Sequence, residues 1–207
     1  PGIAIYYQRQ LSHYYNHKPS FEGSIELHSY EGDENNRIAH THFEEYALTQ
    51  LLTAEGSPLQ VVDSQQHQFP FNRPLPTHVH IACHGMHSDE GIVLHSGPDQ
   101  NWSAADFERI GAPLQEVCIA ACIAAQVNDD KEGSPYGLSL SFMRNSYTLI
   151  ASTLPLFDVY TSWLIVFMRT YQLEGKTATE SLTLAKRDIL RGQWHSKAEA
   201  VIEQTYM

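Results

Sequence analysis

The stretch EVCIAAC, residues 116–122, is apolar from Val117 onward, with no polar residue at alternate positions. A strand with one face in water alternates. A strand that does not alternate has to be covered on both sides, which is the condition of an interior strand in a parallel sheet. YTLIAST (147–153) has the same character, LQVVD (59–63) reads as a short buried-type strand, and THVHIAC (77–83) as another. SIELHSY (24–30) alternates instead and reads as a half-exposed strand, and GIVLH (91–95) is one more strand before a turn around Gly97 and Pro98.

Helical segments lie between these runs. THFEEYALTQLLTAEG (41–56) sets Phe43, Tyr46, Ala47 and Leu51 at helical spacing ahead of a glycine stop. SAADFERI (103–110) has Ser103 placed as an N-cap and Asp106 in the first turn. GLSLSFMRN (137–145) can form a helix, and two more are expected at about 160–172 and about 177–191. Strands alternating with helices, with continuously apolar core strands, predict an α/β sandwich: a mostly parallel central sheet flanked by helices. A chain of 207 residues suffices for one sizeable domain.

Composition narrows the functional classes. A net charge of −11, with no basic run of five or more, argues against a nucleic-acid-binding surface, which needs clustered Lys and Arg. No apolar run, WLIVFM (163–168) included, is long enough to span a bilayer, and no signal-peptide pattern opens the chain. Three cysteines fit neither a disulfide framework nor a four-cysteine zinc site, and an odd count suits a reducing compartment. A cytoplasmic protein, without membrane or direct nucleic-acid contact, is the expectation. The chain opens at Pro1 and closes at Met207 without obvious caps, as a piece of a longer polypeptide would.

In an open parallel sheet the site gathers at the carboxyl ends of the strands. THVHIAC runs out into His84-Gly85, and EVCIAA runs out into Cys122. Were these two strands parallel neighbours, His84 could hold Cys122 as thiolate and later protonate a leaving amine. The backbone N–H groups of Gly85 and Cys122 could then face a developing oxyanion. The plain alternative for Cys122 is a small core residue ending a strand, since strand periodicity puts it on the face of Cys118 and cannot separate the two. Its place before the polar stretch AAQVNDDKEGSPYG favours the functional reading. Cys83 and Cys118 lie inside strands and are expected to be inert core residues.

The density of imidazole in HVHIACHGMH (78–87) invites a metal reading, because His78, His80 and His84 alternate onto one strand face. A zinc site would need further ligands, and no HExxH or CxxC follows. His78 and His80 are better read as hydrogen-bonded, partly buried residues at a strand start, and His87 as a solvated loop residue.

At these residues the chain resembles a CHAT domain, the caspase-like module of the separase, caspase and gingipain group of cysteine peptidases. The resemblance spans roughly residues 40–192, flanked by an N-terminal extension or edge strand (1–39) and a tail (193–207). HIACHG is similar to the family's strand followed by His-Gly, and the segment 90–110 to its hairpin and the helix opening with Ser or Thr. VCIAAC resembles its apolar strand ending in Ala-Cys, the segment 136–171 its helix, strand, Asp-containing loop and helix, and GKTATESLTLAKRDIL its last helix. The resemblance implies hydrolysis of a protein substrate through a Cys-His dyad, His84 as base and Cys122 as nucleophile, with no metal and no organic cofactor. It implies a regulatory partner of TPR or sensor type, as in CRISPR-linked and other prokaryotic defence systems. Asp158 lines up with an acidic residue that in separase-like relatives recognises a basic P1 side chain; it also precedes a helix and could simply cap it. The chain departs from the pattern in reading Ala121-Cys122-Ile123 around the cysteine, unlike caspases proper, and in lacking the usual Trp in TLPLFD (153–158). The run Asp129, Asp130, Glu132 reads as a solvated loop beside Cys122. The main rival reading is a catalytically silent CHAT-like module that only binds other proteins. A doubly wound nucleotide-binding protein fails for want of a Gly-rich phosphate loop.

Overall fold

The computed structural model of the chain describes residues 3–7, 21–32, 34, 37–38, 41–54, 56–57, 59–63, 76–89, 91–97, 100–110, 114–125, 128–129, 135–155, 158–193 and 203. The central sheet contains β1 (Ile3–Tyr7), β2 (Gly23–Ser29), β3 (Leu59–Asp63), β4 (His78–Ala82), β8 (Leu114–Ala120) and β11 (Ser146–Ser152), in the order β1-β11-β8-β4-β2-β3. Five of these strands are mutually parallel, and only β1 runs antiparallel, on β11. This is the mostly parallel α/β sheet expected from the uninterrupted apolar runs.

The helices are α1 (Thr41–Ala54), α2 (Ala104–Glu108), α3 (Leu138–Asn145), α4 (Asp158–Leu173) and α5 (Ala178–Leu190). Local chemistry marks several of their ends. Ser103 takes the N-cap position of α2, as expected, and donates its backbone N–H to Asp106 Oδ2 (2.8 Å). Thr177 and Glu180 form the reciprocal capping box of α5. After α1 the chain turns at Gly56, whose φ of +56° lies in the region where glycine costs least.

Two cores sandwich the sheet. On one face Ile25, Leu27, Cys118 and Ile150 pack against α1, α4 and α5. On the other, Val79, Ile81, Val117, Ile119 and Leu149 pack against Phe107 of α2 and Phe142 of α3. The alternation of Val117, Cys118 and Ile119 between the two cores explains why β8 has no polar side. Strand β2 departs from the half-exposed reading: Ile25 through His28 are all buried. Its polar positions meet the second core rather than water, where the His28 ring stands edge-on to Trp102 at 5.2 Å. The sheet therefore draws on residues to either side of position 40, with β2 interior and β1 at an edge.

A second departure concerns the chain after β4. It enters not a loop but β5 (His84–Ser88), which pairs antiparallel with β6 (Gly91–Gly97), and β6 pairs with β7 (Gln100–Trp102). HGMHS carries no strand periodicity of its own, so its conformation is imposed by its partner strand. A two-stranded ribbon joins β9 (Asn128–Asp129) to β10 (Pro135–Tyr136). SHYYNH (12–17), Pro98 of the expected turn, and nearly all of the 193–207 tail lie outside the described residues. No described helix is long and apolar enough to cross a membrane.

Candidate functional site

From β2 the chain passes outward to β3 at the sheet edge, then returns past β2 to β4, β8 and β11. That reversal between β2 and β4 is a topological switch point, where the carboxyl ends of the strands leave a crevice. In the register of β4 and β8, Ala82 lies beside Ala120. Two residues further along each chain stand His84 and Cys122, and both line one cavity of about 170 Å³. Arg37, Thr41 and Glu44 from the β2–α1 side, and Thr161 and Ser162 from α4, complete its polar lining.

The backbone on either side of the pair is closely specified. Strand β8 stops at Ala120, and residues 121–125 turn across the end of β11, where Ile123 N–H donates to Leu154 O (3.4 Å) and Ala125 N–H to Ser152 O (2.7 Å). Ile123 has φ +51°, a left-handed conformation that costs a β-branched residue about 1–3 kcal/mol. That strain sits one residue after Cys122 and sharply redirects the chain there. Gly85 meets the same turn from the other side. A Cβ added to it would lie 1.9 Å from the Cys122 carbonyl oxygen, so only a glycine lets β5 lie against the cysteine backbone. Gly85 itself is a β5 residue opposite Leu94, not the start of a loop.

The fold also separates three thiols that periodicity could not. Cys83 and Cys118 are buried, and burial pushes both thiols far above their ordinary range, with Cys122 adding to the rise at Cys83. Neither can supply a thiolate near neutral pH. Cys122 alone is partly exposed.

The histidines sort themselves as well. His78 and His80 are fully, not partly, buried, because β4 is central and α1 and α4 cover it. His78 Nδ1 lies 2.9 Å from Thr77 Oγ1, and burial pulls its pKa down to about 4, against the raising effect of nearby Glu116. His80 Nε2 lies 2.6 Å from Glu44 Oε1, and Ser162 Oγ donates to Glu44 Oε2 (2.9 Å). The His80–Glu44–Ser162 network ties β4 to α1 and α4, whereas His78 bonds to its own neighbour in the chain. His87 is exposed as expected, though on strand β5. Among the described residues, no three His, Cys, Asp or Glu side chains gather as a metal site would require.

Sequence reasoning missed Glu44, although a signal existed. It shares a helical face with Ala47, Leu48 and Leu51, and a carboxylate on a buried face needs a partner. It also missed the buried cluster under α4, in which Arg169 pairs with Glu116 and with Gln172 Oε1 (2.8 Å), and Gln172 Nε2 donates to Glu116 Oε2 (2.6 Å). Burial pushes the Glu116 carboxyl up, but Arg169, His78 and these hydrogen bonds outweigh it and hold the group below its ordinary range. Asp158 is the first residue of α4, one turn before Thr161 and Ser162, and its side chain lies outside the described residues. Asp129 falls in the β9–β10 ribbon, while Asp130 and Glu132 lie outside the described residues. No family model matches the chain, and no curated protein matches it either.

Proposed function

We propose that this chain is a caspase-like cysteine endopeptidase that cleaves a protein substrate through Cys122 and His84. The observation that carries the reading is the parallel pairing of β4 and β8, which delivers an imidazole and a half-buried thiol to one cavity at the switch point. In this mechanism His84 takes the Cys122 proton, and the thiolate adds to the scissile carbonyl. The backbone N–H groups of Gly85 and Cys122 stabilise the oxyanion, as donors that need no reorganisation during reaction. His84 then protonates the leaving amine, and water, deprotonated by the same imidazole, hydrolyses the thioester. The strained turn at Ile123 and the close seat of Gly85 support the reading, because both constrain the cysteine backbone where positional error would cost rate.

The resemblance to CHAT domains extends the proposal to a protease switched on by a TPR or sensor partner in a prokaryotic defence or signalling system, and to Asp158 as a contact for a basic P1 residue. Labelling with a cysteine-reactive peptide electrophile tests the core of it. Modification is expected at Cys122 only, and to be lost in Cys122→Ala and His84→Ala. A folded chain that stays unlabelled with every P1 side chain, both alone and with its native partner, would instead be a binding module.

A further inference from the structure

The small antiparallel sheet places a second imidazole beside the first. In its register His84 lies opposite His95, and His95 lies opposite Asn101, so the three residues form one lateral row across β5, β6 and β7. Side chains directly opposite one another in an antiparallel pair share a face, with Cβ atoms about 5 Å apart. The neighbouring row, Gly85, Leu94 and Trp102, is the inward one: Leu94 and Trp102 are buried in the second core. The row containing His84 consequently projects from the opposite face, where His95 is half-buried and Asn101 exposed.

Two contacts hold His95 in place. Its Nδ1 lies 3.0 Å from Asn101 Oδ1. With the amide oxygen of Asn101 accepting, the neutral ring donates from Nδ1 and leaves Nε2 as an acceptor. The Tyr30 ring stands edge-on to His95, with centroids 5.0 Å apart, and the Tyr30 N–H donates to Ala82 O (2.9 Å), which fixes Tyr30 to the end of β4.

We infer that His95, oriented by Asn101 and Tyr30, is a positioning residue whose Nε2 accepts a hydrogen bond from His84 when His84 becomes an imidazolium. This rests on the dyad reading. Transfer of a proton from Cys122 to His84 creates a cation on His84, and a neutral acceptor beside it favours the charged form. Among the described residues, the ionisable groups placed at the row and its cavity are His84, Cys122, Cys83, Tyr30, Arg37 and Glu44; Glu44 is already engaged by His80 and Ser162, and Arg37 Nε by Glu31.

The rate of Cys122 alkylation by iodoacetamide, measured from pH 5 to 10 on the full chain, reads the thiolate directly and needs no substrate. His95→Leu is expected to raise the alkylation midpoint by about one pH unit, and Asn101→Leu by a smaller step in the same direction. His95→Gln, which keeps an acceptor toward His84 and a donor toward Asn101, is expected to restore most of the shift. Melting curves exclude loss of fold as the cause. A His95→Leu midpoint equal to wild type, with His84→Ala still shifting it, overturns the role of His95 alone. A midpoint indifferent to His84→Ala overturns the dyad and this inference together.

Discussion

Gly85→Ala is the most discriminating single change near the site, because its effect is steric and almost nothing else. The new Cβ would sit 1.9 Å from the Cys122 carbonyl oxygen, 3.0 Å from its carbonyl carbon and 3.4 Å from its nitrogen. The clashing atoms are backbone, so no rotamer change relieves them. Regaining an ordinary contact of 3.4 Å to the oxygen requires β5 and the 121–125 turn to part by roughly 1.5 Å, in a strand already held by β6. Overpacking of this kind costs about 1–3 kcal/mol, and a displacement of about 1 Å at a reacting group costs on the order of a hundredfold in rate. The assay pairs the labelling rate of Cys122 by a peptide electrophile with a urea denaturation curve. Gly97→Ala in the same hairpin serves as the control, since its Cβ would meet Gln100 at an ordinary 3.4 Å. A folded Gly85→Ala chain is expected to label about a hundredfold more slowly, with Gly97→Ala close to wild type. Equal labelling rates and equal stabilities for both variants would refute the close approach and its part in seating the cysteine.

The remaining predictions address the groups under the site. The pKa of His78 lies at about 4 in the folded chain against an ordinary 6.5, so between those values the unfolded chain binds the extra proton. Its contribution is complete above pH 6.5 and is lost as pH falls toward 4, by about 3 kcal/mol; urea titrations should show this acid loss in wild type and not in His78→Gln. Glu116, held below its ordinary range, adds its own loss only at lower pH, below about 4.5. Arg169→Met leaves the Glu116 carboxylate buried without its cation and should destabilise by about 3–5 kcal/mol, with Arg169→Met/Glu116→Gln recovering part of the loss in a double-mutant cycle. Brief iodoacetamide treatment of the native chain should modify Cys122 alone, with Cys83 and Cys118 reacting only in denaturant, as peptide mapping can establish.

Much of the architecture was legible before any coordinates. The apolar runs within 116–122 and 147–153 meant strands covered on both faces, and both lie inside the central sheet; 59–63 and 77–83 join the same sheet, with β3 at an edge and Gln60 exposed. The helix at 41–54 declared itself through apolar spacing and a glycine stop, and the one at 104–108 through Ser103 and Asp106, because those signals are local. Local signals also took His84 and Cys122 to the ends of strands. Strand periodicity by itself could not separate Cys122 from Cys118, which only the polar stretch after Cys122 did, and could not show His78 and His80 to be fully buried, because burial depends on what lies across the sheet.

What the amino-acid sequence determined by itself was therefore the set of elements and the two strand ends that bear reactive groups, since periodicity and capping are properties of neighbours along the chain. The tertiary structure alone decided the strand order that sets β4 beside β8, and the pairing that turns HGMHS into a strand opposite His95. It also decided the seat of Gly85 on the Cys122 backbone and the partners of Glu44, which stand 36 and 118 residues away in His80 and Ser162. Those are contacts between distant segments, formed only when closing the sheet buries enough apolar surface to offset the entropy of bringing them together.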